Sequence, residues 1–485
     1  MVAPRITHPR RPAARATIGG VTDDPATATR PARRSRPWRI APAAAVVIAA
    51  GLAWLAAVGA LDRVPLLDRP IAAGLETAGL LCLGFVWVRP GDRRTRRSAL
   101  LLGLGVAAAV GVLALALRTT GTVTDAYPPS FAAWIGAAFA AIAGCPLALG
   151  RPARWGAATW RRAAAVAAVP LTVVGALMLI DQEYGIWPTA GDMLGHDGTL
   201  RGADARRALD GAPAARSPAG GTLMMLDAPA TVSHFAHRPG AVYLPPAYYG
   251  PHRADLPVLV MLVGAPGTPI NWLKAGGGEA TDDAYAATHG GVAPVLVVAD
   301  QNGSATGDTE CVDGPRGNAE TYLTTDVPAF ITGTLHLRHD ASRWGIVGFS
   351  EGGTCALDLV LGHPGIYRHA VDLGGDARPN LGSPEHSLVA LYGGRDAAPA
   401  AHDPALLLAH HTYPGVTLWF AAGQDDPRCA AVSRQLAALA MQAGIPTHQF
   451  VGSGGHNWQF ASAALRSVLA PLSAQMGLPG PGATT

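Results

Sequence analysis

The sequence predicts a chain of two parts: an N-terminal α-helical membrane domain, then an α/β domain with a mostly parallel central sheet covered by helices. Apolar stretches long enough to cross a bilayer fill the first third of the 485 residues. Short apolar runs alternate with helical patterns in the remainder, which is typical of a parallel sheet. The charge divides at the same place, because the part up to Asp181 is basic and the part from Gln182 onward is acidic.

The composition excludes several classes of protein. Hydrophobic residues make up 49% of the chain and charged residues only 15%, so a disordered chain is excluded. The arginine excess is interleaved with apolar stretches rather than gathered in one tail. It therefore indicates a membrane topology signal, and we expect the cytoplasmic membrane, not nucleic acid, as the partner.

Five apolar stretches follow a basic arm at 1–39 and define a membrane domain at 40–181. Each is about as long as a helix that crosses the hydrocarbon core. Glu76 is the only charged residue within them, and we expect it to reach interfacial water rather than to form a transport site. The stretches lie near 41–60, 71–88, 99–117, 131–149 and 163–180.

The arginines alternate between the two sides of these stretches. The N-terminal arm and the second and fourth loops carry nine, five and four, whereas the first and third loops carry two and one. The positive-inside rule then places the N-terminus in the cytoplasm, and five crossings place everything after about residue 181 outside. Four crossings would leave the C-terminal domain in the cytoplasm. A cleaved signal peptide fits the first stretch less well, because it starts late and further apolar stretches follow.

Residues 182–220 are predicted to be a linker, 221–475 an α/β domain and 476–485 a flexible tail. Three helices are expected within the domain, at Thr321–Leu337, Gly353–Leu361 and Pro427–Ala443. The apolar runs between and before them are interpreted as strands. These predicted strands are Leu223–Leu226, Ala241–Leu244, Val258–Val263, Val295–Ala299, Ile346–Phe349, Ala370–Leu373, Leu388–Tyr392 and Thr417–Ala421.

A serine between two glycines is the candidate nucleophile. Gly348-Phe-Ser350-Glu-Gly352 follows an apolar strand and precedes a helical stretch, which is the setting of a nucleophile elbow. Such a turn strains the serine backbone, and side chains at the glycine positions would clash with it. The turn would also aim the N–H of Glu351 at a developing oxyanion. The alternative is a structural glycine-rich turn.

The partners of this serine should follow in the order acid, then histidine. Asp426 is the preferred acid because it comes just after the 417–421 strand in a Gly-x-x-Asp spacing. Asp425 is its close alternative. Asp396 ranks third, because we expect 417–421 to be the last strand before the histidine.

His456 is the candidate base, in a glycine-rich loop near the end of the domain. A loop of this kind lets the imidazole reach back to the elbow, and Trp458 is expected to pack behind it. No metal is expected, because neither cysteine nor carboxylate spacing accompanies the other clustered histidines. Those histidines are His402, His410 and His411.

The second oxyanion donor is expected after the strand at 258–263. The loop there reads Gly264-Ala265-Pro266-Gly267, and Pro266 has no N–H. Ala265 is therefore the preferred donor, with Gly264 as the alternative.

Five motifs of the C-terminal part belong together. They are Tyr243-Leu-Pro-Pro246, the strand and loop at 258–267, Gly-Phe-Ser350-Glu-Gly-Gly, His363-Pro364-Gly-Ile-Tyr367 and Gly-Gly-His456-Asn-Trp458. With these motifs, roughly residues 220–475 resemble the esterase branch of the α/β-hydrolases, a branch that includes S-formylglutathione hydrolases, feruloyl esterases and secreted mycolyltransferases. The resemblance implies an α/β-hydrolase fold, a Ser350–Asp426–His456 triad and an acyl-enzyme intermediate.

The sequence also departs from the secreted mycolyltransferases that it resembles. The secreted mycolyltransferases are similar to soluble exported proteins, whereas this chain carries its own predicted membrane anchor. Its oxyanion loop, Gly264-Ala-Pro-Gly267, also has a different composition. Ester hydrolysis is therefore the preferred expectation, and mycolyl transfer the lesser one.

Three of the five cysteines lie in the domain predicted to be outside, where disulfides persist. Cys355 follows the elbow and Cys311 lies in a polar loop before it. We hypothesise a Cys311–Cys355 disulfide, with three buried thiols (Cys429 included) as an equally weighted alternative. Cys82 and Cys145 lie in predicted membrane helices.

The sequence therefore predicts a membrane-anchored, extracytoplasmic serine esterase that acts through an acyl-enzyme on Ser350. It predicts an ester or acyl-lipid substrate and no cofactor. Two alternatives stay open: an envelope acyltransferase of mycolyltransferase type, and a non-catalytic scaffold that binds a lipid or glycan.

Overall fold

The computed structural model describes Gly59 and residues 62–67, 69–87, 93–119, 129–149, 157–196, 198–210, 220–304 and 307–478. The predictions for the basic arm at 1–39 and, apart from Gly59, for the first apolar stretch at 41–60 lie outside these residues. So does most of the predicted tail at 476–485.

Four long helices coincide with the second to fifth apolar stretches. They are α1 (Arg69–Trp87), α2 (Arg93–Thr119), α3 (Pro129–Leu149) and α4 (Ala157–Tyr184). Among the described residues, one segment, Arg162–Tyr184 of α4, is long and apolar enough to cross a membrane, with a mean hydropathy of 2.4. Shorter apolar segments lie at Ala73–Gly84, Leu104–Leu113 and Ala133–Cys145. The number of crossings therefore stays a prediction.

The predicted linker at 182–220 contains two short helices, α5 (Ala190–Leu194) and α6 (Gly202–Asp210). Thr189 begins α5 with a reciprocal capping box, in which its hydroxyl accepts from the N–H of Asp192. Ala205 and Ala208 of α6 are buried against the core of the C-terminal domain. Helix α6 is thus folded onto that domain, whereas α5 lies against the N-terminal part, where the Ala190 N–H donates to the Val64 carbonyl at 3.0 Å.

The C-terminal domain is built on an eight-stranded sheet. Its strands are β1 (Thr222–Leu226), β2 (Gly240–Leu244), β3 (Val258–Leu262), β4 (Val295–Val298), β7 (Trp344–Phe349), β8 (His369–Leu373), β9 (Thr417–Gly423) and β10 (Thr447–Gly452); β5 (Asp313–Gly314) and β6 (Gly317–Asn318) form a separate ribbon. The strand order is β1-β2-β4-β3-β7-β8-β9-β10. Within this sheet β1 and β2 pair antiparallel, β2 pairs antiparallel with β4, and all remaining pairs are parallel. The expected mostly parallel sheet is therefore present.

Helices cover both faces of this sheet. Both faces are apolar, because neighbouring residues of β3 point to opposite sides of the sheet and both are buried. Val260 lies in one core cluster and Leu259 in the other. A π-helical turn at Tyr322–Asp326 joins two of the helices. The helices are α7 (Ile270–Leu273), α8 (Gly278–Thr288), α9 (Ala319–Thr321), α10 (Val327–Gly333), α11 (Glu351–Gly362), α12 (Pro384–Tyr392), α13 (Pro404–His410), α14 (Pro427–Gln442) and α15 (Trp458–Gln475); short 3₁₀ turns lie at Pro246–Tyr249, Arg253–Asp255, Ala341–Arg343 and Ala398–His402.

One predicted strand is wrong: Leu388–Tyr392 is the second half of α12. The hydroxyl of Ser383 accepts from the N–H of His386 and so caps the first turn. Gly393, in the left-handed region at φ 63°, ends the helix. These start and stop signals outweigh the short apolar run between them.

One strand of the eight-stranded sheet was not predicted, besides the two-residue strands β5 and β6 of the separate ribbon. β10 (Thr447–Gly452) pairs with β9 at the edge of the sheet and is largely exposed, so its sequence lacks an apolar run. The expectation that the 417–421 strand is the last before the histidine is therefore wrong.

The hypothesised Cys311–Cys355 disulfide is present, with the two Cα atoms 5.5 Å apart. It joins the polar loop before β5 to the second turn of α11. Cys429 is a buried free thiol, and Cys82 and Cys145 are free and half-buried.

Candidate active site

Ser350 stands at the turn between β7 and α11, with φ 60° and ψ −125°. This left-handed conformation is costly for a residue with a Cβ and persists because the surroundings enforce it. The Ser350 N–H donates to the carbonyl of Leu373 at 2.9 Å. A Cβ on Gly348 would lie 1.7 Å from the Gly352 oxygen, and one on Gly352 would lie 2.2 Å from the Leu262 oxygen. Both glycines are thus required by close backbone approach.

The structure brings Ser350, His456 and Asp426 into one hydrogen-bonded chain. His456 Nε2 lies 2.7 Å from Ser350 Oγ, and His456 Nδ1 lies 2.9 Å from Asp426 Oδ2. A carboxylate only accepts hydrogen bonds, so the imidazole proton belongs on Nδ1. Nε2 is then free to accept the serine proton, which is the arrangement that nucleophilic catalysis by serine needs.

Asp426 is held as a carboxylate by the turn that it caps. It is the N-cap of α14, and its Oδ1 accepts from the Cys429 N–H at 3.1 Å. Burial alone would raise the pKa of Asp426, but the hydrogen bonds from His456 and Cys429 outweigh burial and hold the pKa well below its usual value. The carboxylate therefore stays charged and can stabilise an imidazolium.

The other two candidate acids are not brought to His456. Asp425 is exposed, and its N–H donates to the Gly454 carbonyl. Asp396 is exposed in the segment that follows α12. Of the three acids that the sequence offered, the geometry favours Asp426.

The imidazole of His456 is seated among glycine and aromatic residues. Gly374, at φ 71°, would place a Cβ 3.3 Å from the ring, so a side chain at this position would be strained and would crowd the imidazole. The Phe349 ring lies 4.9 Å from the His456 ring and 5.1 Å from that of buried Trp458, centroid to centroid. Trp458 thus packs behind the loop through Phe349, and Trp272 supports it from the other side at 5.2 Å.

The loop predicted to supply an oxyanion donor lies against the nucleophile. A Cβ on Gly264 would lie 2.9 Å from Ser350 Cβ and 3.1 Å from the Phe349 oxygen. Gln301 Nε2 donates to the Val263 carbonyl at 2.6 Å and fixes the start of the loop. The N–H groups of Ala265 and Glu351 stay the predicted donors.

Arg238 fixes the end of this loop, and the sequence alone did not indicate it. Its Nη1 donates to the Gly267 carbonyl at 3.0 Å, while its Nε and Nη2 donate to the two oxygens of Asp300 at 2.9 and 2.6 Å. Asp300 is completely buried. A bidentate guanidinium therefore neutralises a buried carboxylate and positions the loop with its remaining donor.

The side chain of Glu351 is a second feature that sequence reasoning missed. It is buried beneath the elbow and accepts from Asn302 Nδ2 at 2.6 Å. Burial, and then the nearby charge of Asp308, raise the pKa of Glu351 well above its usual value. An acidic residue directly after the nucleophile was the available signal, but its partners at 301–302 come from a distant part of the chain.

Comparisons with known proteins match the C-terminal part of the chain. Residues 236–470 match the family described as "Putative esterase". The matched residues include Ser350, Asp426 and His456. An uncharacterized protein of Corynebacterium glutamicum is 35% identical over 254 residues, which are 51% of this chain and 60% of that protein. This chain therefore spans about three fifths of the length of that relative.

Two solved structures are similar to the C-terminal domain at low identity. An S-formylglutathione hydrolase from Agrobacterium tumefaciens is 21% identical with a TM-score of 0.42, over 54% of this chain and 98% of that one. A ferulic acid esterase is 19% identical with a TM-score of 0.41, over 49% of this chain and 91% of that one.

Proposed function

We propose that this protein is a membrane-anchored serine esterase whose C-terminal domain hydrolyses esters outside the cytoplasmic membrane through an acyl-enzyme on Ser350. The observation that carries the proposal is the chain of contacts from Ser350 Oγ through His456 to Asp426. A strained serine at the head of such a chain has both the exposure and the base that an acyl-transfer nucleophile needs.

The reaction follows from the positions of the protons. Ser350 Oγ attacks the ester carbonyl carbon while His456 Nε2 takes the serine proton. The resulting oxyanion is stabilised by the N–H groups of Ala265 and Glu351, and the imidazolium by Asp426. When the intermediate collapses, Nε2 returns that proton to the leaving alkoxide. A water molecule then attacks the acyl-enzyme by the same route, releasing the acid and restoring Ser350.

The contribution of Ser350 is tested by ester hydrolysis with the full chain in detergent. We expect wild-type protein to hydrolyse short p-nitrophenyl esters and Ser350→Ala to lower kcat by roughly 10⁴-fold or more. Ser453→Ala removes an exposed serine from the histidine loop and serves as the matched control. A Ser350→Ala variant as active as that control would contradict the proposed mechanism.

The exposed surface of the N-terminal helices supports the membrane part of the proposal. Large apolar side chains on these helices are more than a third exposed, and lipid is the environment that covers such a surface without a cost in free energy. The segment Arg162–Tyr184 adds a helix of spanning length. The exposed side chains are Leu80, Leu81, Leu101, Leu104, Val112, Leu113, Leu115, Phe139, Ile142, Trp160, Val166, Val174 and Leu177.

The contact between the two parts of the chain supports catalysis near the membrane surface. Gln459, three residues after His456, donates through Nε2 to the Gln182 carbonyl at the end of α4 at 3.0 Å. A Cβ on Gly185 would lie 2.6 Å from the same Gln459 side chain. If α4 crosses the bilayer, the catalytic edge of the sheet lies close to lipid, which favours an ester of an amphiphilic molecule as substrate.

A further inference from the structure

A buried thiol lies beside the catalytic histidine and has no part in the proposed mechanism. Cys429 Sγ is 3.7 Å from His456 Nδ1, on the side of the ring that also faces Asp426. One ligand atom from each of Asp426, Cys429 and His456 lies within 4.8 Å of the other two. Three types of metal-binding atom therefore converge on one point.

The fold brings these atoms together from two elements. Asp426 caps α14 and Cys429 follows three residues later, so both side chains lie on the same side of the first turn. His456 reaches them from the loop between β10 and α15. The backbone N–H of Cys429 donates to Asp426 Oδ1, and the Cys429 thiol lies against both the Asp426 carboxylate, to which it also hydrogen-bonds, and the His456 ring.

The donor set and its spacing suit a thiophilic divalent cation. An imidazole nitrogen, a thiolate and a carboxylate oxygen are all zinc ligands, and tetrahedral zinc places such atoms roughly 3.3–3.8 Å apart. The Sγ to Nδ1 distance is already 3.7 Å, and the Oδ2 to Nδ1 distance of 2.9 Å must open slightly. The side chains of His456 and Asp426 are 16% and 13% exposed, so the site is partly open to solvent, and water is the fourth ligand that zinc would take here.

We propose that Asp426, Cys429 and His456 form an inhibitory binding site for a thiophilic divalent cation of the Zn²⁺ or Cd²⁺ class. Binding of the cation is independent of the proposed esterase function, and only its inhibitory effect rests on that function.

Inhibition follows from the proton balance. The cation takes the lone pair of His456 Nδ1, so the single proton of the neutral ring moves to Nε2. Cys429 binds as thiolate and releases one proton to solvent. Nε2 then carries a hydrogen and cannot accept the proton of Ser350, while Asp426 neutralises the cation rather than an imidazolium. The serine therefore loses its base without any change in its own position.

The first measurement is inhibition of ester hydrolysis by Zn²⁺ and Cd²⁺, with Mg²⁺ and Ca²⁺ as hard-cation controls. We expect Zn²⁺ and Cd²⁺ to inhibit wild type and to be reversed by EDTA. Cys429→Ala should require roughly 100-fold more metal, each variant being compared with its own activity without metal. Cys145→Ala, which removes a free thiol elsewhere, should behave as wild type. Equal inhibition of wild type and Cys429→Ala would overturn the proposal.

The second measurement reads binding without activity. Titration with Cd²⁺ should give a thiolate-to-cadmium charge-transfer band of equal amplitude in wild type and Ser350→Ala, and a smaller one in Cys429→Ala. His456→Ala should lower the affinity of the protein for Cd²⁺, so that the band needs a higher Cd²⁺ concentration to reach half of its amplitude. Cys429→Ser keeps the volume of the side chain and replaces Cys429→Ala if that variant unfolds. An unchanged band in Cys429→Ala or Cys429→Ser would overturn the site, whereas the expected band in a chain without esterase activity would count against the proposed function alone.

Discussion

Asp426 and Asp425 are adjacent in the sequence, but their side chains have different surroundings in the structure. Asp426 Oδ2 meets His456 Nδ1, while Asp425 is exposed to solvent. We expect Asp426→Asn to lower kcat by about 10⁴-fold, because an amide can donate to Nδ1 and so select the wrong tautomer. Asp425→Asn should change kcat by less than about threefold, as expected for an exposed side chain with no role in catalysis. Steady-state kinetics on both variants checks this, and equal losses would contradict the assignment.

Asp372, at the catalytic end of β8, is a fully buried carboxyl whose stability contribution depends on pH. Burial raises its pKa to about 7, because the Gly375 N–H offsets little of the lost hydration and the charge of Asp376 opposes ionisation. The unfolded chain loses this proton near pH 4, whereas the folded chain keeps it until about pH 7. The contribution of Asp372 to the free energy of unfolding is therefore complete below pH 4 and falls as pH rises towards 7, by at most about 4 kcal/mol.

Replacing this side chain tests the sign of that dependence. Asp372→Asn keeps an acceptor for the Gly375 N–H and removes the ionisation. We expect the thermal midpoint of wild type to fall, relative to that of Asp372→Asn, between pH 5 and pH 8. Asp396→Asn, an exposed acid, is the matched control. A difference between wild type and Asp372→Asn that stays constant across this range would contradict the account.

The sequence was most informative about the individual residues that meet in the candidate active site. Ser350, Asp426 and His456 could be selected because nucleophile, acid and base each follow a strand or occupy a glycine-rich loop. The side chain of Glu351, the thiol of Cys429 and the clamp made by Arg238 could not. Their roles depend on contacts with segments far away in the chain, such as Asn302 and Asp300.

At the scale of elements, the Cys311–Cys355 disulfide ties α11 to the loop that packs beneath the elbow. Glu310 and Cys311 both adopt positive φ, at 49° and 56°, so this loop needs external support. The closed loop has a sequence separation of 44 residues, for which chain entropy gives about 4 kcal/mol of stabilisation.

Removal of this disulfide should therefore lower the free energy of unfolding while changing the rate of ester hydrolysis by the folded protein comparatively little. We expect the Cys311→Ser/Cys355→Ser variant to lose up to about 4 kcal/mol, or roughly 10 °C in thermal midpoint. Cys82→Ser/Cys145→Ser removes two free cysteines and is the matched control. An unchanged midpoint, or an equal loss in the control, would show that the disulfide does not stabilise the domain.

Helices and strands whose sequences carry one clear pattern were predicted, and those whose sequences carry conflicting patterns were not. The buried parallel strands have continuous apolar runs, and this pattern predicts a buried strand. Leu388–Tyr392 has a similar run, but capping by Ser383 and Gly393 makes it helical. β10 is a polar edge strand, and only its pairing with β9 reveals it.

For the whole molecule, the proposed extracytoplasmic placement of the C-terminal domain rests on the arginine pattern, and the proposed membrane anchoring rests on the apolar surface of α1–α4. The number of crossings decides that orientation, and the first predicted crossing, at 41–60, lies outside the described residues except for Gly59. The charge difference between the two parts of the chain could be predicted from the sequence, because it depends on composition alone. The number of helices that cross the bilayer could not be predicted as firmly, because alanine-rich stretches are only weakly hydrophobic.

The measurement to make first is labelling of intact cells that express the full chain with a membrane-impermeant fluorophosphonate, beside cells that express Ser350→Ala. We expect labelling of wild type only, with the probe on the peptide that contains Ser350. Labelling that requires lysis would keep the nucleophile and contradict the extracytoplasmic placement. Folded wild-type protein that stays unlabelled both before and after lysis would contradict the proposal that Ser350 is an activated nucleophile.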